Sequence, residues 1–426
     1  MANSISAFIT EKIAKHKEFG KELSWSVFYR CLLIFANLIS GIILSRDLGD
    51  ANRGIFQLFN TSLGLFAIFF NFGLNSSAHY YANKKADSIR SYLASNIVLS
   101  CFSAVLIAII LLFGSQYLNF RSNLIGIIFI ICYFVYSLSV IYRSFMVGIG
   151  HNLYLQKIDA GGRLSFLVFV VICHFLGCLS IPLVISFMVL EYIATSMLSH
   201  RKINTDVWPL KIDLDLIKES YLFNGKSYLI SILIFFINRG DQYIIKYLQG
   251  NIQVGYYGIG NTIIENLGVV AALLATIYLS KFLSNDDLEW KLAKLNKLLL
   301  IVFFFSLGVA IIFYFAAPYL LEYYFKNQNE VAVQSFQILL IGYVFWSMCY
   351  LIFVVSASLR YKKSNIIILT AVVLLNLVLN YKFIPVYGIL ASAMASSLCY
   401  FLIFALSYID LYCFKLRNHR RKLNQI

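Results

Sequence analysis

Charge is scarce in this sequence. Asp, Glu, Lys and Arg supply 13% of its 426 residues against 60% hydrophobic ones, and the mean hydropathy is +0.77. Soluble domains carry about a quarter charged residues, so a soluble globular chain is excluded. Long polar segments are missing too. None between the apolar runs exceeds roughly 25 residues, which leaves no basic soluble domain of the kind that binds nucleic acid.

Motifs for enzymatic chemistry are also lacking. There is no metal-ligand spacing, no glycine-rich phosphate loop and no nucleophile elbow. The eight cysteines, at 31, 101, 132, 173, 178, 349, 399 and 413, show neither metal nor redox-motif spacing and read as small apolar packing residues. No metal, no cofactor and no ATP hydrolysis is expected. A cleavable signal is absent as well, because "ISAFITEKIAKHKEFGKEL" mixes apolar and basic residues without a small-residue cleavage site.

What is present is apolar length. Runs of about 20 residues, enough to cross ~30 Å of hydrocarbon, recur from end to end. They predict an all-α polytopic membrane protein of twelve spans, near 24–45, 55–78, 92–114, 124–147, 158–178, 180–199, 221–238, 256–279, 297–318, 335–357, 364–384 and 388–411. The seventh could extend to 248. Alternate segments place 25 of the 35 Lys and Arg on one side and seven on the other, with Arg30, Arg163 and Lys226 in or at the edges of spans. The bias predicts cytoplasmic termini. Basic loops facing anionic lipid account for the net charge of +15. Residues 1–23 are then a basic cytoplasmic tail, either an interfacial helix or disordered, and 414–426 a second tail.

An internal repeat organises the rest. "LGDANRGIFQLFNT" from Leu48 and "LQGNIQVGYYGIGNT" from Leu248 align with one inserted residue, matching Gly54 to Gly255, Phe56 to Tyr257, Asn60 to Asn261 and Thr61 to Thr262. "SIPL" at 180–183 and "FIPV" at 383–386 repeat at a similar offset. Six spans per half is even, so the halves, 24–210 and 211–413, run parallel around a predicted central cleft, as in transporters that rock one half against the other. Lys382, Pro385 and Gly388 read as a turn, with Pro ending one helix. The small residues Gly388, Ala391, Ser392, Ala395 and Ser396 read as a close-packing face.

The stretch "LNLVLNYKFIPVYGILASAMASS" resembles the penultimate hairpin of the O-antigen type of polysaccharide flippase, within the multidrug/oligosaccharidyl-lipid/polysaccharide exporter superfamily. "RDLGDANRGIFQLFNTSLGLF" and "RGDQYIIKYLQGNIQVGYYGIGNT" resemble that family's loops after the first and seventh spans, although "GDANRG" replaces the usual acidic or Pro-containing loop. The resemblance implies a non-enzymatic flippase of the bacterial cytoplasmic membrane that moves an undecaprenyl-pyrophosphate-linked oligosaccharide to the outer leaflet. Its implied partners are that substrate, membrane lipids, and a polysaccharide polymerase and chain-length regulator.

Ionisable groups within spans mark candidate sites. Arg30 lies about 10 Å into the first span, and Lys226, one repeat later, corresponds to Ser26, a turn away on the same face. Both are candidates to hold the substrate's phosphates, Arg30 foremost. Glu191 and Glu265 lie near the midplane, the second beside Asn261 and Asn266. Glu191, Glu265 and Asn261 are candidates for ion coupling or for lining the cavity. Asp159 and Arg163, four apart, are expected to neutralise each other, Arg239 and Asp241 to form a local pair or else an outer gate, and Arg143 to anchor topology or stand at the cleft mouth.

Two other classes stay in view. A multidrug or cation antiporter of the same superfamily would favour a carboxylate where Arg30 stands. A membrane-bound polysaccharide polymerase would need a long external loop with paired catalytic groups, whereas the longest such segment, 319–334, offers only Glu322 and Glu330.

Overall fold

Hydrocarbon offers no hydrogen-bond partner to a backbone, so apolar runs must satisfy their N–H and C=O groups internally. The computed structural model meets this with helices alone; it describes the backbone of residues 2–71, 78, 81, 86–118, 123–203, 212–285, 287–324, 330–359 and 363–423. The described helices are α1 (Ala2–Leu48), α2 (Asp50–Phe69), α3 (Ala86–Leu118), α4 (Asn123–Gly148), α5 (Asn152–Leu176) and α6 (Ile181–Ile203), then α7 (Leu214–Gln249), α8 (Asn251–Ser284), α9 (Leu288–Tyr324), α10 (Glu330–Ser358), α11 (Lys363–Tyr387) and α12 (Ile389–Leu423).

Among the described residues ten of these are long and apolar enough to cross a membrane, and α7, bent by 69° near residue 223, adds an eleventh when its two arms form one span. Apolar side chains such as Phe304, Phe315 and Ile341 stand exposed on them, as hydrocarbon-facing residues do. The chain is therefore a multi-pass membrane protein. The exception is α2. It was expected over 55–78 but ends at Phe69, and residues 72–77 lie outside the described ones. Its polar residues Arg53, Gln57 and Thr61 recur every four positions and are buried, forming a stripe that packs against protein.

Contacts divide the chain into two compact units. The first holds 1–43 and 70–222, the second 44–69 and 223–426. This division departs from the halves expected at 24–210 and 211–413, because Leu44–Phe69 packs with the second unit, where α2 lies along α8. In the first unit an aromatic core stacks Tyr81 on Tyr92 (5.0 Å) and Tyr92 on Phe145 (6.0 Å). Two apolar clusters centre the second, one around Phe282, Leu295, Leu351 and Val355, the other around Ile237, Cys399 and Ile403.

The repeat has a local counterpart. Gly49 (φ 75°) separates α1 from α2, and Gly250 (φ 83°) separates α7 from α8 at the matching place. The Pro385 expectation is corrected. The proline sits within α11, whose helix continues to Tyr387, and Gly388 at φ 63° makes the break. At the last turn the carbonyl that proline obstructs lies one turn back, so the helix survives to its natural stop.

Candidate functional site

Three arginines and two carboxylates converge in the first unit. They line a cavity of about 310 Å³ together with Asn37, Tyr136 and Tyr192. Three helices contribute at helical spacing, 30, 33 and 37 from α1, 136, 140 and 143 from α4, and 159 and 163 from α5, while α6 adds the neighbours 191 and 192. Intervals of three and four put each of the first three sets on one face. The helices themselves are apolar elsewhere, so these faces can only be buried against one another or against water.

The pairing differs from the local expectation. Asp159 does not neutralise Arg163. It forms an ion pair with Arg143, 2.7 Å from Nη2, and accepts a hydrogen bond from Nη1 at 3.1 Å. Arg163 turns instead to Glu191 on α6, at 3.6 Å. A pair four apart on one helix is held by side-chain reach alone, whereas a neighbouring helix can present a carboxylate end-on to the planar guanidinium. Glu191 is 6% exposed and lies against Gly162, where an added Cβ would come 3.1 Å from its Cγ. Arg143 is thus a member of the cavity rather than only an anchor at a helix end.

Arg30 stands apart. Its side chain lines the same cavity near Asp159 and Arg143, yet its buried Nε has no hydrogen-bond partner among the described residues. With two arginines matched to two carboxylates, the cavity carries one uncommitted positive charge. The rings of Tyr136 and Tyr192, 5.0 Å apart, form part of its wall.

Lys226 does not join this cluster. It belongs to the second unit, on α7, and is exposed.

Glu265 and Asn261 also lie in the second unit, in a separate network. Arg239 does not pair with its neighbour Asp241 but grips Glu265 with two arms, one at 3.0 Å from Nε, and donates to Thr61 Oγ1 at 3.2 Å. Thr61 in turn donates to Gln242 (2.7 Å), and Asn261 to the Asn238 carbonyl (3.1 Å). Arg239 and Asp241 are two apart on a helix and face different ways, which is why the expected local pair does not form.

Asp241, expected only in a local pair or an outer gate with Arg239, is the centre of its own buried cluster. It is 1% exposed and accepts hydrogen bonds from Tyr257 Oη, Ser396 Oγ (3.0 Å) and Ser392 Oγ (3.4 Å). No cation pairs with it among the described residues, and its Oδ1 has no partner. Asn376 and Asn380, fully buried on α11, lie nearby: Asn380 Nδ2 donates to Asn376 Oδ1 at 3.0 Å, and Cys399 lies beside both Asn376 and Asp241. The small-residue face of α12 is therefore polar as well as close-packed. The i, i+4 spacing of Ser392 and Ser396, and of Asn376 and Asn380, was the available signal.

Comparisons with known proteins agree with this architecture. A family described as "Polysaccharide biosynthesis protein" matches residues 21–278. A Shigella flexneri protein named "Putative O-antigen transporter" is 24% identical over 159 residues, 37% of this chain and 38% of that one, so the match spans well under half of the relative. Among solved structures, the lipid II flippase MurJ in an inward closed conformation superposes with a TM-score of 0.69 at 14% identity, over 92% of this chain and 87% of that one. An inward-facing multidrug-resistance MATE transporter of the MOP superfamily gives 0.60 at 14% identity, over 89% and 94%. At such identities these structures establish a shared fold.

Proposed function

We propose, from the premise that the chain belongs to the polysaccharide biosynthesis protein family, that it is a flippase for a polyprenyl-pyrophosphate-linked oligosaccharide, working from the cytoplasmic to the outer leaflet by alternating access. The observation that carries this reading is the uncommitted charge of Arg30 in a cavity whose other arginines are matched. A pyrophosphate is doubly suited to it. Its oxygens accept the paired donors of a guanidinium, and its negative charge balances the excess positive one in a low-dielectric setting.

At about 310 Å³ the cavity is at the small end of ligand sites, so it takes the phosphates and not the whole glycan. Arg143 and Arg163 stand ready at its walls, held in place by Asp159 and Glu191 until phosphate oxygens compete for them. Tyr136 and Tyr192 offer ring faces and hydroxyls to the first sugar. The polyprenyl chain stays in hydrocarbon. The protein sits in a bacterial cytoplasmic membrane with both termini inside, breaks no bond, and hands its cargo to polymerase and chain-length machinery outside.

Coupling we assign to Asp241 in preference to Glu191 and Glu265. The latter two each face an arginine, whereas Asp241 has only hydroxyl and amide neighbours and no cation beside it among the described residues. Such a carboxylate holds a small monovalent cation or a proton. The antiporter alternative is weaker at the first-unit cavity, where a cationic substrate would meet the free arginine.

The test is translocation of a fluorescent pyrophosphate-linked oligosaccharide in proteoliposomes against the same glycan on a neutral lipid. Transport of the first and not the second supports the reading. Equal transport of both, or export of a cationic dye alone, contradicts it.

A further inference from the structure

The turn between α5 and α6 brings two thiols together that the sequence spacing did not suggest. Helix α5 ends in a Schellman cap: Gly177 adopts φ 62°, its N–H bonds to the His174 carbonyl at 3.1 Å, and the Cys178 N–H bonds to the Cys173 carbonyl at 3.1 Å. That 6→1 bond folds the chain so that the residues at its two ends lie side by side, usually as an apolar contact. Here both are cysteines.

Side-chain geometry follows the backbone. Cys178 Sγ turns back onto the last turn of α5, 3.8 Å from the Cys173 carbonyl, and the two thiols interact side chain to side chain. Their exposures are unequal: Cys178 is open while Cys173 is 5% exposed. Among the eight cysteines no others lie so near in the chain, and the remaining six sit within helices long and apolar enough to cross a membrane.

We infer that Cys173 and Cys178 form a disulfide clip on the extracytoplasmic side. This rests on the orientation proposed above, which puts the α5–α6 turn opposite the basic face, where thiols oxidise and stay oxidised. The chemistry is thiol–disulfide exchange with an oxidised dithiol carrier protein of that compartment. The accessible Cys178 thiol loses its proton and attacks one sulfur of the carrier's disulfide, leaving a mixed disulfide and one free carrier thiolate. Cys173 then loses its proton, attacks Cys178 Sγ and expels the second carrier sulfur. Two thiols give up two protons and two electrons, and the carrier's disulfide becomes a dithiol.

The clip acts on the proposed site through the helices it joins. Helix α5 carries Asp159 and Arg163 and α6 carries Glu191, and between these residues and the turn the two helices are tied by Phe169 stacked on Phe187 at 4.2 Å. Closing the outer turn covalently keeps α5 from fraying at the end away from the cavity. The orphan carbonyls of its last turn then stay capped during each transport cycle.

Differential alkylation of the full-length protein in spheroplasts tests this. The denatured protein is alkylated before and after reduction, and the peptide spanning 173–178 is read by mass spectrometry, alongside Cys178→Ser and Cys173→Ser. The expected result is no alkylation at either site until reduction, and alkylation of the remaining cysteine without reduction in each single variant. A membrane-impermeant phosphine followed by an impermeant maleimide should label Cys178 from outside.

Two outcomes overturn the clip and separate its causes. Impermeant maleimide labelling of Cys178 from outside without any reductant means that the orientation holds and the disulfide does not. Labelling only when the maleimide is added outside inverted vesicles, whose outer face is the cytoplasmic one, means that the orientation itself has failed.

Discussion

Gly54 and Gly255 each lie against the first residue of the other's helix. A Cβ on Gly54 would stand 1.8 Å from the Asn251 carbonyl oxygen, and one on Gly255 would stand 3.0 Å from that of Asp50. Asp50 opens α2 and Asn251 opens α8, so the two residues aligned by the internal repeat meet across a local pseudo-twofold. The sequence match is thus also a packing match. It explains why α2 belongs with the second unit: the two helix starts interlock backbone to backbone, and the polar stripe of Arg53, Gln57 and Thr61 continues the contact.

Gly54→Ala should therefore be severely destabilising, beyond the ~1–3 kcal/mol usual for overpacking, because the clash is with rigid backbone. Gly255→Ala should cost clearly less. Thermal unfolding of the detergent-purified protein, followed by size-exclusion fluorescence, checks the order; equal stability of the two variants would undo the asymmetry argued here.

The Arg163–Glu191 pair makes a double-mutant prediction. Removing one partner strands a charge with little solvent, at about 3–5 kcal/mol, whereas replacing both with apolar residues is often near neutral. Arg163→Met alone should lower the folded yield and melting temperature sharply. Adding Glu191→Leu should recover most of both, yet transport should remain lost, since the cavity would then hold one arginine fewer.

Asp241→Asn keeps the shape of the buried cluster and removes its charge. The expected outcome is a protein that folds in near-normal amount and still moves substrate down its own gradient, but whose rate no longer rises with an imposed proton or sodium gradient. Comparing the two gradients on the native protein identifies the ion. Full stimulation in the variant would take the coupling role away from Asp241.

Much of this was legible in the sequence, for a physical reason. Apolar length, helix and basic bias are near-neighbour properties that hydrocarbon imposes on any spanning chain, and the repeat at Gly54 and Gly255 is a one-dimensional match. What the sequence hid was which partner each charge would take. Asp159 has Arg163 one turn away but meets Arg143, sixteen positions back, because interhelical geometry outweighs a few tenths of a kcal/mol of local pairing. Asp241 was hidden by the company it keeps. Ser392 and Ser396 read as close-packing residues, and only the fold turns their hydroxyls toward a carboxylate. Arg30 was visible because an arginine seven residues into an apolar run has few ordinary explanations.

The most direct test of the account is the transport rate of Arg30→Ala and Arg30→Lys beside the native protein, in proteoliposomes with pyrophosphate-linked oligosaccharide at equal folded amounts. The account predicts at least a tenfold loss in Arg30→Ala, about 1.4 kcal/mol or more, and partial retention in Arg30→Lys, which keeps the charge without the paired donors. Native rates in both variants would contradict it.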